Sequence, residues 1–376
     1  MAMYTVKEVT SRRDLKRFIT FVDDLYKGCD MFVPPLHKGQ ERDLMHSPSL
    51  QYCTRKMWIA EDADGKVVGR ICAMINPRYN EKYDKRRVRF GWFDLINDIE
   101  VAQLLMGTAE SWAKENGMEE IHGPLFYNTL GRQGMLIEGF DKLPPFSCLY
   151  NYPYYVELVE QLGFEKECDW IQYMMPADQG VDDRLKAIAD RMMQRYNVRV
   201  ADFDKLKKDK DTVKKFFKMY NASFDGIVHN FIPFTDAEIE EECRQIMGQL
   251  DSKLCCVLMD EDDEVAAFGI ATPCLSRAMQ KAKGRMFPFG WYHLLKALKA
   301  KRMTDFDLLL IAVRPDYQNK GVNALFFYDQ IPYFQKYGIK YTETTAILEE
   351  NSKNQANFAY FETKQHKRRR AYIKQL

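Results

Sequence analysis

Apolar positions along this chain fall into two periods, an alternation of two and a stripe of three to four, and the order in which the periods occur is repeated. Residues 4–9 alternate like an edge strand. Ser11 can cap a helix whose apolar positions, Leu15, Phe18, Ile19 and Val22, fall at helical spacing. Pro34-Pro35 interrupts that helix, and a weaker helical stretch runs on to about Met45. A hairpin signal comes next: residues 57–60, the turn Asp62-Ala63-Asp64-Gly65, then residues 67–75. Residues 88–96 predict a strand, 98–116 a helix ended by Gly117, and 121–125 another strand. A loop rich in Gly, Pro and aromatics runs to Asn151, followed by an amphipathic stretch at 152–164 and a strand at 169–175.

Pro176-Ala177-Asp178-Gln179-Gly180 reads as a boundary, which divides the chain into domains 1–178 and 179–376. Beyond it the pattern restarts with a helix to Arg195, a strand at 198–200 and a helix over 205–222. Thr235 with Glu238 three residues on predicts a capped helix start. The hairpin then recurs at 254–259 and 265–272 around an acidic turn, so the chain reads as two copies of one fold. Residues 308–313 are six apolar residues in a row, the pattern of a strand buried on both faces, and Pro315 marks its exit. A polar turn and a helix from about Val322, with Pro332 inside it, lead to a strand at 341–347 and a late helix.

Two basic stretches stand out from this pattern. Residues 276–302 combine Phe287, Phe289, Trp291 and Tyr292 with Lys281, Lys283, Arg285, Lys296, Lys299, Lys301 and Arg302. Such a segment suits a membrane surface or an acidic partner, but packing of its apolar face on its own domain, with the lysines exposed, is the favoured expectation. Lys367-Arg368-Arg369-Arg370 is read as a solvated or edge strand guarded by charge rather than a nucleic-acid patch.

Composition narrows the class. A chain of 376 residues with 46% hydrophobic and 29% charged content suits a globular protein of two domains. A net charge of +1 argues against a nucleic-acid partner. The nine cysteines show no CxxC pairing and no zinc-type spacing with the histidines, so no metal site is expected. No leader and no apolar run long enough for a membrane span is visible, and the expected location is cytoplasmic.

The stretch with chemical content is the strand, turn and helix at 307–338. Such a turn aims the free N–H groups of the first helical turn at one point, where the helix dipole also favours negative charge. Gly321 lets backbone approach a ligand closely, and Lys320 adds positive charge. Val313-Arg314-Pro315 followed by Gln318-Asn319-Lys320-Gly321-Val322-Asn323 resembles the pyrophosphate motif of the GNAT superfamily of acyl-CoA N-acyltransferases. That motif reads Arg/Gln-x-x-Gly-x-Gly/Ala after a strand ending Val-x-Pro. Asn323 stands where Gly or Ala is usual, with Ala324 next. No GxxxxGK[ST] and no GxGxxG after a strand competes with it, and an ordinary β-turn-α connection is the alternative.

The resemblance implies an α+β fold with a mixed sheet, built as two tandem GNAT-like domains. The first is degenerate: after its strand at 90–96 the chain reads Asn97-Asp98-Ile99-Glu100, whose carboxylates would repel a pyrophosphate. For the second domain it implies acetyl-CoA or another acyl-CoA as substrate. Backbone of Ile311 and Val313 would hold the pantetheine, with the Val313 N–H as oxyanion donor. Gln318, Asn319, Lys320, Gly321, Val322, Asn323 and Ala324 would cradle the pyrophosphate, Arg314 or Lys320 would reach outer phosphates, and Asn351 or Asn354 would bind the pantetheine arm. Glu343 is the candidate base, its pKa raised by burial, and Tyr360 the candidate acid, with Phe358 or Phe361 as alternatives for that slot. His229, in the region that usually covers the acceptor, is a secondary candidate. The implied activity is N-acyl transfer, N-acetyl transfer in its simplest form, to a small-molecule or peptide amine. The alternative is a non-catalytic acyl-CoA-binding or scaffold protein, which Asn323 and the lack, in the second domain, of a counterpart to the Leu162-Gly163-Phe164 ending of the first permit.

Overall fold

The computed structural model describes residues 3–177, 183–206, 208–225, 229–246, 252–322, 324–351, 355 and 362–376. They form two compact units, and neither is one continuous stretch of chain. The first comprises Met1–Ile171, Ser276–Leu295 and His366–Leu376; the second comprises Gln172–Leu275 and Lys296–Gln365. The boundary expected between residues 178 and 179 lies outside the described residues.

In the first unit the order is β1 (Tyr4–Glu8), α1 (Arg12–Leu25), α2 (His37–His46), β2 (Thr54–Asp62), β3 (Val67–Ile75), α3 (Pro77–Tyr83), β4 (Arg87–Leu95), α4 (Ile99–Glu115), β5 (Glu120–Gly123), β6 (Met135–Glu138), α5 (Tyr154–Gln161) and β7 (Glu165–Pro176). Strands β1 to β4 pair antiparallel in sequence, and β5 joins β4 in parallel. The Ser11 hydroxyl caps α1 by accepting from the Asp14 N–H at 3.1 Å, as the sequence suggested. Helix α4 lays Val101, Leu105 and Ala109 on the sheet, and Gly69 of β3 lets it come close. A Cβ at Gly69 would lie 2.7 Å from Leu105 Cδ1 and 2.9 Å from Val101 Cγ1, so any side chain there would force these two to shift.

The first unit is completed by chain from far downstream. Helices α10 (Ser276–Ala282) and α11 (Gly290–Leu298, as far as Leu295) belong to it, and so does most of the last strand, β14 (Lys364–Gln375). That strand pairs with β5 and β6. It is not the charge-guarded edge expected for 367–370. Lys367 and Arg369 are 1% and 0% exposed, and their cationic heads donate to the carbonyls of Leu143 and Leu149 at 3.0 and 2.5 Å. Arg368 and Arg370 point the other way and share the carboxylate of Asp169 at 3.0 and 2.8 Å. Strand alternation therefore sends each pair of cations to acceptors from a different segment.

In the second unit the order is α6 (Asp183–Tyr196), β8 (Arg199–Val200), α7 (Phe203–Leu206), α8 (Lys210–Phe224), α9 (Asp236–Ile246), β9 (Cys255–Met259), β10 (Val265–Pro273), β11 (Asp305–Val313), α12 (Ala324–Tyr337), β12 (Tyr341–Thr344) and β13 (Ile347–Leu348). Residues 174–176 of β7 pair with β12, and the sheet continues through β11, β10 and β9 to β8. Only the β11–β12 pairing is parallel among these. The capping box is formed as expected: the Thr235 hydroxyl accepts from the Glu238 N–H at 3.3 Å, and Glu238 Oε2 accepts from the Thr235 N–H at 2.9 Å. Phe326, Leu325 and Val322 pack with Ala267 and Leu258 to close one face of this sheet.

Each unit contains the same irregularity. Between the pairs Arg70↔Asp94 and Cys72↔Gly91, β4 carries one residue more than β3, and Trp92 there has φ +44°. Between Ile270↔Leu310 and Ala271↔Leu308, β11 carries the extra residue Leu309. A bulge of this kind bends a strand and re-aims the residues beyond it. No helix among the described residues is long and apolar enough to cross a membrane.

Asp169 sets a pH dependence for the first unit. Burial favours its neutral form, but hydrogen bonds from Arg370, Lys166 and Arg368 outweigh that and hold its carboxyl below the ordinary value. A carboxylate lowered in the folded chain stabilises it above the unfolded pKa of about 4, and that stabilisation is lost as pH falls through the folded value. Asp169→Asn is expected to lower the melting temperature at neutral pH and to flatten the acid limb of a melting-temperature-against-pH profile. Acid limbs of equal slope would contradict the assignment. In the second unit, Thr235→Ala is expected to cost about 1 kcal/mol in denaturant titrations.

Candidate active site

In the second unit the parallel pairing of β11 and β12 runs from Asp305↔Tyr341 to Leu308↔Thr344 and stops there. The Thr345 N–H still donates to the Leu308 carbonyl at 3.0 Å and its hydroxyl to the Leu309 carbonyl at 2.9 Å, and then the strands part. On its other side β11 stays paired with β10. The Arg314 N–H donates to the Ala266 carbonyl at 2.9 Å, which makes Val313↔Ala267, and by alternation Ile311↔Gly269, the pairs that exchange no bonds with β10. The N–H and C=O groups of Ile311 and Val313 therefore face the gap that β12 leaves. Leu309, Leu310, Ile311 and Val313 are only partly buried, which corrects the expectation of a strand covered on both faces.

The loop at the end of β11 continues this edge. Pro315–Tyr317 forms one 3-10 turn, Asn319 and Gly321 take left-handed angles of φ +60° and +77°, and α12 begins at Ala324. Among the described residues, the N–H groups of Asn319, Lys320, Gly321 and Val322 meet no protein acceptor. Val322 is buried and anchors the loop in the core, whereas Asn319, Lys320 and Gly321 are exposed. The Gln318 side chain donates to the Val313 carbonyl at 3.1 Å and so ties the loop to the strand end. Lys320 Nζ lies 5.0 Å from the Tyr196 ring centre and 5.2 Å from that of Tyr317.

Arg314 is placed differently from what the sequence suggested. Its guanidinium pairs with Asp316 at 2.7 Å and with Asp260 at 2.8 Å, and these hydrogen bonds, that to Asp316 foremost, hold its pKa above the ordinary value. It braces the loop against the β9–β10 turn. Glu343 sits one residue before the strands part, facing Asp307 across β11, and its Oε1 accepts from Gln172 Nε2 at 3.0 Å. Asn351 lies past β13, its N–H donating to the Leu348 carbonyl at 3.0 Å. His229 is partly buried in the turn between α8 and α9, just before the buried Phe231. Asn323, Asn354, Phe358, Tyr360 and Phe361 lie outside the described residues. The sequence reading missed Gln172, Asp260 and Thr345, which are joined to the site by pairings across the fold and carry no local signal.

The matching place in the first unit is closed. There β4 and β5 pair as far as Arg89↔His122, and the Leu125 N–H then donates to the Phe90 carbonyl at 2.8 Å. Arg89 Nη1 donates to the Phe126 and Tyr127 carbonyls at 2.8 and 3.1 Å, and a Cβ on Gly91 would lie 2.6 Å from the Leu125 oxygen. The chain's own residues 124–127 thus fill the gap. The start of α4 is occupied too: Asp98 accepts from the Glu100 N–H at 2.8 Å and from the Tyr4 hydroxyl at 2.7 Å. Among the described residues, the strand amides of Ile311 and Val313, the loop N–H groups and the Lys320 ammonium of the second unit have the chemistry an acyl-CoA would need, and the corresponding place in the first unit does not.

With a mixed sheet in each unit, one parallel pair of strands and a helix following the bulged strand, this chain has the tandem GNAT fold. It superposes over 99% of its length on 98% of a tandem GNAT protein from the clavulanic acid biosynthesis pathway, with TM-score 0.56 and 9% identity. It superposes over its whole length, at TM-score 0.59 and 13% identity, on a GCN5-related glucosamine N-acetyltransferase region in a fungal multi-domain GH3 β-N-acetylglucosaminidase, but spans only 38% of that longer chain. In sequence it is 29% identical over 379 residues to Protein YghO of Escherichia coli (strain K12), covering 99% of this chain and 95% of that one. It is 26% identical over 321 residues to the bacterial ceramide synthase of Caulobacter vibrioides (strain NA1000 / CB15N), covering 84% and 81%. No family model matches the chain.

The two loop cations are expected to separate in function. Arg314→Gln leaves the buried Asp260 without its ion partner and should cost roughly 1–3 kcal/mol of stability in the second unit. Lys320→Gln should leave the melting temperature unchanged, weaken CoA binding a few-fold and reduce its salt dependence, as calorimetry at two ionic strengths would show.

Proposed function

We propose that the second unit is a CoA-dependent N-acyltransferase whose acceptor is the primary amine of a long-chain amino alcohol or a related amino lipid. The observation that carries the acyl-CoA part is the row of strand amides at Ile311 and Val313, left facing a gap that runs on into the Asn319–Gly321 turn. A pantetheine arm is an extended chain of amides, and it satisfies such an edge as a missing strand would. Its diphosphate would lie at the N-terminus of α12, beside Lys320. The acceptor class is supported by the relative described as a bacterial ceramide synthase. A ceramide is an amide of a fatty acid with a long-chain amino alcohol, so its formation from an acyl thioester is an N-acyl transfer.

In this reading the amine nitrogen attacks the thioester carbon, the C–N bond forms, and the Val313 N–H donates to the oxygen as it becomes anionic. Glu343, beside the opening of the strands, takes the proton the nitrogen sheds, directly or through a water. The C–S bond then breaks, and the leaving thiolate is protonated by Tyr360. Gln172 holds the Glu343 carboxylate in place.

Thiol release from acyl-CoAs of several chain lengths, with a long-chain amino alcohol, a polyamine and a peptide N-terminus as competing acceptors, tests the proposal. The expected result is thiol release that depends on the amino lipid, with the amide found by mass spectrometry. Gly321→Val should weaken CoA binding roughly tenfold, because a branched side chain in a left-handed conformation costs about 1–2 kcal/mol. CoA binding without thiol release from any amine would instead assign the chain a binding or scaffold role.

A further inference from the structure

The first unit holds out a cluster of rings that its own core does not use. Phe287, Phe289, Trp291, Tyr292 and Leu295 are exposed at 73%, 69%, 41%, 49% and 42%, five of the ten large hydrophobics exposed among the described residues. The sequence had favoured packing of this apolar face on its own domain. What packs is α10, through Ala278, Met279 and Ala282, while the rings beyond it face outward.

They are held there by a well-braced loop. Ser276 Oγ donates to the Pro144 carbonyl at 2.7 Å, Gln280 Nε2 to that of Asp30 at 2.7 Å, and the His37 N–H to that of Gly284 at 2.8 Å. The loop closes on itself as the Trp291 N–H donates to the Met286 carbonyl at 2.8 Å and its indole N–H to that of Pro288 at 2.9 Å. At Gly290 any Cβ would sit 1.8 Å from the Arg285 oxygen, so only glycine allows this closure. Arg277, Lys281, Lys283 and Arg285 are exposed in the same segment, and residues 276–302 contain no Asp or Glu.

We infer that this loop docks the protein on an anionic lipid surface, with the rings entering the headgroup layer and the cations meeting lipid phosphates. Aromatic rings beside lysine and arginine match that interface in both polarity and charge. A second copy of the chain is a poorer occupant, because a two-fold contact through this patch sets its cations against their own images. The inference stands independently of acyl transfer and of the acceptor proposed above.

Sedimentation of the full chain with phosphatidylcholine vesicles, with and without phosphatidylglycerol, tests it without any turnover. The protein should pellet with the anionic vesicles and be released by salt. F287S/F289S and K281E/K283E should each reduce the bound-to-free ratio roughly tenfold with unchanged melting temperatures, since all four positions are exposed. If the ring variant fails to fold, the charge-reversal variant decides. Absence of binding, or binding unchanged in the variants, would overturn the inference. A concentration-dependent dimer abolished by F287S/F289S, without vesicle binding, would assign the patch to a second copy instead.

Discussion

The point at which β12 leaves β11 in mid-sheet is the constraint on which the rest of the second unit depends. Sheet backbone must find partners, and among the described residues β12 stops pairing with β11 after Leu308↔Thr344 while β10 continues on the other side. The bulge at Leu309 and the hydroxyl of Thr345 manage the departure. Beyond them lies a short edge of amides ending in a turn whose N–H groups at 319–322 meet no acceptor among the described residues, tied down by Gln318 and by the Arg314 bridge to Asp260. The function proposed above rests on that edge, since a ligand that is itself a chain of amides ending in a diphosphate would have a partner at both of its ends.

The two copies provide an internal comparison. Both keep the bulge, the parallel pair and the helix after the bulged strand. In the first, residues 124–127 fill the gap and Asp98 takes the helix N-terminus. Only a few residues therefore separate a closed copy from an open one. In the first unit the frame also carries a core: α4 lies on β3, and β14 contributes buried cations whose N–H groups donate to loop carbonyls.

Much of this was legible in the chain. Local signals gave both hairpins, the Ser11 cap, the Thr235–Glu238 box and the strand-turn-helix around Gly321, because each is written within a few neighbouring residues. The features that stayed hidden depend on partners distant in sequence. Nothing near Lys367 announces that the carbonyls of Leu143 and Leu149 will receive its strand's cations, so a core strand read as a guarded edge. Nor does anything near Arg314 announce its ion pair with Asp260, 54 residues earlier. The partial exposure of Leu309–Ile311 results from where β12 departs, which six apolar letters cannot encode. Likewise the amphipathic pattern of 276–302 showed a face but not its direction.

A crystal structure of the full chain with CoA bound tests the central claim most directly. The pantetheine amides are predicted to hydrogen-bond along Ile311 and Val313, with the diphosphate on the N–H groups of residues 319–322. Cofactor density at the start of α4 beside Asp98, or a pantetheine lying outside the gap between β11 and β12, would contradict it.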